Sequence, residues 1–266
     1  MILLDPDARL VVAHRGDAAR APENTIESFA RAVALGVHAL EFDCRVSADG
    51  VAVVVHDAAL DRTTDARGPV RAHSAATLGR TDAGARFSPD GGRTRPYAGR
   101  GIGIPTLDAV LGAFPDVPVL IEVKELEACN AVRATLDRHA ALGRAVVASF
   151  RDDVMTYFRA TSYPTGAAQG DVVRLLRAAV IGRSASPPYR AASIPPSYHG
   201  VPLPLARFAR VLRPYRVPVH VWTVDEPRAA LRLWDAGVSG IVTNDPARTL
   251  AAFATWSRGR AGARDV

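Results

Sequence analysis

Sulfur is scarce in this chain: two cysteines and two methionines in 266 residues. Cys44 and Cys129 cannot make a disulfide framework, and their separation fits no zinc-binding pattern. A reducing compartment, the cytoplasm, is therefore expected. No apolar run is long enough to span a bilayer; the opening Met1-Ile2-Leu3-Leu4 stops at Asp5. No basic segment followed by a long apolar one marks a secretory leader, so none is expected. Aromatics make up only 6% of the residues, and no helix-like stretch interleaves them with a dense basic stripe. The net charge of +6 is scattered along the chain, so neither a nucleic-acid partner nor stable membrane association is expected. Lysine is nearly missing too: of 33 basic residues, 32 are Arg and one is Lys124. A compact ammonium differs from a guanidinium in size, hydration and donor geometry, which marks Lys124 as a candidate site residue.

What is present is a large apolar share, 48% of the residues, enough for a substantial core. Strand-like runs lie at Leu10–Ala13, Ala39–Val46, Val51–Val55, Val117–Val123, Ala145–Phe150, Thr165–Gln169, Ala192–Ile194, Val217–Val224 and Gly240–Thr243. Most are apolar throughout rather than alternating, as in strands buried on both faces. Helical patterns fall between them: Glu23–Leu35, Thr106–Phe114, Glu125–Leu142, Asp152–Ala160, Val172–Ile181, Leu205–Tyr215, Glu226–Ala236 and Ala247–Trp256. Gly36 suits the end of the first and Thr106 the start of the second. This alternation predicts a parallel sheet. The exception is Ser47-Ala48-Asp49-Gly50, whose Asp-Gly pair predicts a hairpin. Setting its return strand aside leaves eight parallel strands, the number of a closed TIM (β/α)8 barrel, in one domain over residues 1–266. A doubly wound open sheet is the competing fold. No glycine-rich phosphate fingerprint follows the first strand to support it. Residues 57–103 break the alternation with a polar stretch of little periodicity, read as an insertion that caps the barrel mouth.

Five short islands stand at or just after the ends of strand-like runs: His14-Arg15-Gly16, Glu23-Asn24-Thr25, Glu41-Phe42-Asp43, His56-Asp57 and Glu122-Val123-Lys124. On a strand, alternate residues face one side, so Glu41 points with Asp43 and Glu122 with Lys124. Three converging carboxylates would repel one another unless a cation joined them. All-oxygen ligation suits Mg²⁺ or Ca²⁺ rather than zinc. The hairpin returns His56 to the neighbourhood of Asp43. Two histidines that titrate near neutrality can serve as general acid and general base. Arg15 offers a planar donor fork for phosphate or for a carboxylate partner. Trp222 shares a face with His220 and either walls the pocket or packs in the core. Asp225, Asn244 and Asp245 are read as caps of the helices that follow them. His38, His73, His139 and His199 lack such surroundings and read as surface or structural residues.

The chain resembles the glycerophosphodiester phosphodiesterase family. The matching stretches are Ala13-His14-Arg15-Gly16, Ala21-Pro22-Glu23-Asn24-Thr25, Glu41-Phe42-Asp43, His56-Asp57 with Leu60-Asp61-Arg62-Thr63-Thr64, Ile104-Pro105-Thr106-Leu107, Glu122-Val123-Lys124, Val221-Trp222-Thr223-Val224 and Gly240-Ile241-Val242-Thr243. They run in the family's order almost from end to end. The resemblance implies a TIM barrel with a small insertion after the second histidine. It implies metal ligands at Glu41, Asp43 and Glu122, an acid–base pair at His14 and His56, and phosphate contacts at Arg15 and Lys124. Trp222 matches a position that lines the glycerol side. The match thins between about Thr161 and Leu205, and Asp225 stands where the family usually has Asn.

The expected activity is metal-dependent hydrolysis of a small-molecule glycerophosphodiester to glycerol phosphate and an alcohol. Two alternatives keep the same site. One is cleavage of lysophospholipids or sphingolipids, which needs an apolar groove. The other is a catalytically silent barrel that binds phosphorylated ligands.

Overall fold

Runs that are apolar at every position become strands covered on both faces. The computed structural model describes residues 1–181 and 186–262. Its strands are β1 (Leu10–His14), β2 (Ala39–Val46), β3 (Ala52–Val54), β4 (Val119–Val123), β5 (Ala145–Ala148), β6 (Ala192–Ile194), β7 (Ser197–Tyr198), β8 (Val201–Pro202), β9 (Val219–Val221) and β10 (Gly240–Thr243). The helices are α1 (Ile26–Ala34), α2 (Ala75–Leu78), α3 (Leu107–Ala113), α4 (Cys129–Arg138), α5 (Asp152–Arg159), α6 (Gln169–Ile181), α7 (Leu205–Leu212), α8 (Pro227–Asp235) and α9 (Pro246–Gly262). Among these, no helix is long and apolar enough to cross a membrane.

Seven parallel strands stand in the order β5-β4-β2-β1-β10-β9-β6. The two ends of that order are joined by a narrower piece of chain. Val147 of β5 bridges Thr165, and Gly166 bridges Ala191 beside β6. The Gly166 amide donates to the Val147 carbonyl at 2.7 Å and the Ala167 amide to the Ala191 carbonyl at 3.0 Å. The strand expected over Thr165–Gln169 is thus only two bridging residues, and Gln169 opens α6 instead. The reason is local: the Gln169 amide is taken by the Phe150 carbonyl, and the Ala168 amide by the Asp171 carboxylate at 2.8 Å. The result is a nearly closed (β/α) barrel.

The Asp-Gly hairpin forms as its sequence predicts. β3 runs antiparallel to β2 with Cys44 opposite Val54 and Val46 opposite Ala52. Gly50 takes φ +77°, and the Ser47 hydroxyl binds the Asp49 carboxylate and the Val51 amide across the turn. Helix starts also follow their caps. Thr25 accepts from the Ser28 amide ahead of α1, and Thr106 from the Ala109 amide ahead of α3. Residues 57–103 fold against the outside of this hairpin, with Leu60, Val70, Leu78 and Ile104 packed on Val53 and Val55. A short strand pair, β7–β8, was not legible in the sequence.

Outward-facing residues of β1, β2, β4 and β5 pack on α1, α3, α4 and α5 around Phe29, Phe42 and Phe158. Those of β6, β9 and β10 pack on α6 to α9 around Phe208 and Trp234. Inside the barrel, Leu10, Val12, Ala39, Leu120, Val146 and Val242 meet Leu3 of the opening 3₁₀ turn, Ile2–Leu4. Leu3 plugs the N-terminal end of the barrel. Its carbonyl accepts from His220 Nε2 at 2.9 Å, so this imidazole is held as a buried donor. Gly240 makes room for it: a Cβ there would stand 2.3 Å from His220 Nδ1.

Burial lowers the pKa of His220 to about 4. The unfolded chain therefore takes up this proton first as pH falls, from about 6.5. Stability tied to His220 is whole above that value and is lost as pH falls toward 4, by up to about 3 kcal/mol. Denaturant unfolding at pH 7 and pH 5 should show His220→Gln with a shallower loss on acidification than the parent. An equal loss in both proteins would contradict this account.

Candidate active site

The C-terminal ends of β1, β2 and β4 bring the sequence islands together, and the chain leaving β1 is shaped for this. Arg15 takes φ +56° and Gly16 φ +89°. A left-handed arginine is a strained arrangement, held here by its surroundings. The Arg15 amide donates to the Glu41 carbonyl at 2.8 Å, while its own carbonyl accepts from Asn24 N and Ser28 Oγ, both at 3.0 Å. Gly16 is needed for space as well as for φ, because a Cβ would lie 2.3 Å from Ser28 Oγ. The turn sends the Arg15 guanidinium back across β2. Nε meets Asp43 Oδ2 at 3.0 Å and Nη1 meets Glu23 Oε1 at 2.9 Å.

Strand register sets the carboxylates. His14 lies opposite Glu41, and Asp43 opposite Glu122. One oxygen from each of Glu41, Asp43 and Glu122 lies within 4.8 Å of the others. Lys124 Nζ stands between two of them, 2.8 Å from Asp43 Oδ1 and 2.7 Å from Glu122 Oε2. Asn24 Nδ2 donates to Asp43 Oδ2 at 2.9 Å.

The charges do not balance evenly. Burial, with Asp43 and Glu122 nearby, pushes the Glu41 carboxyl well above its usual range. Burial and Asp43 also raise Glu122, even with Lys124 beside it. Burial acts the same way on Asp43, yet Lys124 and Arg15 outweigh it and hold that carboxyl below its ordinary value. Burial would lower Lys124, but Asp43 and Glu122 reverse the sign and raise it. Asp43 Oδ1 has the ammonium as an ion-pair partner but no well-directed hydrogen bond. Three hard oxygen donors with charge left over fit a divalent cation.

The two imidazoles are fixed through their Nδ1 atoms. His14 Nδ1 lies 2.7 Å from Asn244 Oδ1. The orientation of that amide is set by its other end, since Nδ2 donates to Asp225 Oδ2 at 2.9 Å. Asn244 Oδ1 is then an acceptor, so His14 carries its hydrogen on Nδ1 and leaves the Nε2 lone pair free. Nε2 lies 3.8 Å from Glu41 Oε2. Burial, then Arg15, lowers the His14 pKa. His56 Nδ1 lies 2.6 Å from Asp57 Oδ1. Burial pushes Asp57 up, but hydrogen bonds from Arg62 and His56 prevail and bring it to about 2. Arg62 also clasps Glu23, at 2.7 and 2.8 Å, and so ties residues 57–103 to the carboxylate that holds Arg15.

A cavity of about 200 Å³ opens over this cluster. His14, Arg15, Glu41, His56, Glu122, Lys124 and Trp222 line it, while Asp43 lies buried beneath. The structure thus brings all eight candidate residues to one place. Trp222 is part of the wall, its ring edge-to-face with Phe150 at 5.3 Å. His38, His73, His139 and His199 are absent from it. Two sequence readings need correction. Asp225 does not cap α8, a task that falls to Glu226. Asp225 instead orients Asn244, and Asn244 orients His14. Asn24, Asp57 and Arg62 were given no role from the sequence, although Asn24 and Asp57 stand within the islands and Arg62 lies just after one.

Gly16→Ala should cost clearly more stability than Gly36→Ala. Both positions have positive φ, worth about 1–2 kcal/mol to a residue with a Cβ. Only Gly16 adds a steric overlap, with nothing within 4 Å of a Cβ at Gly36. Equal midpoints in urea unfolding would contradict the packing argument.

A model of the glycerophosphoryl diester phosphodiesterase family matches residues 14–248. A glycerophosphodiester phosphodiesterase of Bacillus subtilis is 30% identical over 263 residues, spanning 92% of this chain and 86% of the relative. In fold, the chain is similar to the glycerophosphoryl diester phosphodiesterase domain of an uncharacterized Mycobacterium tuberculosis protein. That likeness has a TM-score of 0.81 and 24% identity, over 91% of this chain and 97% of the other. It is also similar to an Oleispira antarctica phosphodiesterase whose structure holds the product sn-glycerol-3-phosphate. There the TM-score is 0.73 at 22% identity, over 92% and 97% of the two chains. The chain belongs to the glycerophosphoryl diester phosphodiesterase family, enzymes that hydrolyse glycerophosphodiesters.

Proposed function

We propose that this chain cleaves glycerophosphodiesters by metal-assisted acid–base catalysis between His14 and His56. The observation that carries the reading is the meeting of three carboxylate oxygens within 4.8 Å under a cavity walled by two imidazoles. Glu41, Asp43 and Glu122 would hold one divalent ion, Mg²⁺ or Ca²⁺. Bound there, it supplies a Lewis acid that polarises a phosphoryl oxygen and eases ionisation of the attacking hydroxyl.

The chain's own groups do the rest. Arg15 and Lys124 offer donors to the phosphate's non-bridging oxygens, where charge builds in the transition state. One imidazole takes through Nε2 the proton of the attacking hydroxyl, either that of water or that of the glycerol C2, in which case water then opens the cyclic phosphate. The other protonates the leaving alkoxide as the old P–O bond breaks. Asn244 and Asp57 keep both rings turned so that Nε2 faces the cavity. Trp222 gives the glycerol half an apolar wall. The products are glycerol phosphate, in keeping with the ligand of the Oleispira enzyme, and a free alcohol. Residues 57–103, tied to Glu23 through Arg62, would serve as a cap beside the mouth.

Excess chelator should abolish turnover of glycerophosphocholine, and added Mg²⁺ or Ca²⁺ should restore it. Full turnover in chelator would remove the metal from the mechanism. His14→Ala and His56→Ala should each lower kcat by roughly 10²–10⁴. Near-normal rates in both variants would reject the acid–base assignment.

A further inference from the structure

The stretch Leu60-Asp61-Arg62-Thr63-Thr64 stands outside the lining of the active-site cavity. It forms a turn closed on itself, with Leu60 and Thr64 buried. The Leu60 amide donates to the Gly68 carbonyl at 2.9 Å, and Asp61 Oδ2 accepts from the Gly68 amide at 3.0 Å. The Thr64 hydroxyl donates to the Leu60 carbonyl at 3.0 Å. From this turn one side chain, Arg62, reaches back to the residues around the mouth.

All three nitrogens of that guanidinium are committed. Nε donates to Asp57 Oδ2, Nη1 to Glu23 Oε2 at 2.8 Å and Nη2 to Glu23 Oε1 at 2.7 Å. Each of these carboxylates also holds a residue of the cavity wall. Asp57 Oδ1 is on His56 Nδ1, and Glu23 Oε1 accepts a second time, from Arg15 Nη1 at 2.9 Å. One unbroken chain of ionic contacts therefore runs from His56 through Asp57, Arg62 and Glu23 to Arg15, and on to Asp43.

Arg62 has two effects in this chain. It occupies Glu23 Oε2, so Glu23 cannot turn both oxygens on Arg15. No hydrogen bond among the described residues uses Arg15 Nη2, and Arg15 lines the cavity. By holding the far oxygen of Asp57, Arg62 also keeps that carboxylate, and the imidazole on it, in one orientation. The Arg62 side chain is 49% exposed, so water leaves its ion pairs little weight in stability. Geometry is its stronger contribution: a planar fork on three oxygens fixes angles that a lone ammonium leaves free.

We propose that Arg62 is a positioning residue for the hydrolysis, setting the His56 imidazole and the Arg15 guanidinium relative to each other from within residues 57–103. This rests on the hydrolase reading of the cavity and adds to it a residue that touches neither substrate nor metal. Without Arg62, Glu23 is free to pair with Arg15 through both oxygens and draw Nη2 away from the phosphate. Asp57 is then free to swing, and His56 swings with it. Displacements of about 1 Å at such groups cost on the order of 10²-fold in rate.

The test compares the parent with Arg62→Gln and Arg62→Lys in glycerophosphocholine turnover, in calorimetric binding of sn-glycerol-3-phosphate with Mg²⁺ present, and in thermal unfolding. Both variants should lose roughly ten-fold or more in kcat/KM and bind sn-glycerol-3-phosphate more weakly, with unfolding midpoints close to the parent's. Glu23→Gln and Asp57→Asn should depart from additivity in kcat/KM by about three-fold or more when Arg62 is present. In the Arg62→Gln background they should add to within about two-fold. A parent-like kcat/KM in either Arg62 variant would overturn the proposal. So would equal coupling with and without Arg62, or rates that fall only in step with the folded fraction. No turnover by the parent would overturn the hydrolase reading. Unchanged binding of sn-glycerol-3-phosphate by Arg62→Gln would overturn the role of Arg62 separately.

Discussion

The arrangement turns on buried negative charge. Glu41 and Asp43 are nearly sealed from water at the top of β2, and Glu122 faces them from β4. Carboxylates in such surroundings are tolerated only with compensating charge. Lys124 and Arg15 compensate in part, and Arg15 reaches Asp43 only because the chain after β1 adopts a left-handed turn. The strain at Arg15, the absence of a side chain at Gly16 and the placement of Asn24 all serve that pairing. What the two cations leave uncompensated is what would let the cluster receive a third, as proposed above.

Strand periodicity then divides the barrel along its axis. The inward residues of β1 read Leu10, Val12, His14; those of β2 read Ala39, Glu41, Asp43. On β4 and just beyond it they read Leu120, Glu122, Lys124. Each row is apolar at the N-terminal end, where Leu3 closes the barrel, and charged at the C-terminal end. The same alternation that builds a rigid core thus delivers the reactive groups to one mouth, with little freedom to splay. The apolar plug and the polar site are two ends of one packing scheme.

The parts set by local chemistry were legible in the sequence. Ala39–Val46, Ala192–Ile194 and Gly240–Thr243 form with the predicted bounds, because their patterns are unbroken and turn residues flank them. The Asp49-Gly50 hairpin, and with it the position of His56 near Asp43, followed from turn chemistry. All eight candidate site residues meet because parity and strand order suffice to place them. What escaped depends on distant partners. His14 and Asn244 are 230 residues apart, and nothing in the neighbourhood of Asn244 distinguishes a ring-orienting amide from a helix cap. The closing strand near Thr165 looked like its neighbours in composition. It is cut short by the Phe150 carbonyl and the Asp171 carboxylate, which claim its amides for the start of α6.

The most direct measurement of the central claim is calorimetric titration of Mg²⁺ and Ca²⁺ into the metal-free protein and into Glu122→Gln, with circular dichroism to confirm that the variant folds. The account predicts one divalent ion bound per chain, with affinity sharply weakened by the loss of this single charge. Saturable binding of equal strength in both proteins, or none in the parent, would contradict it.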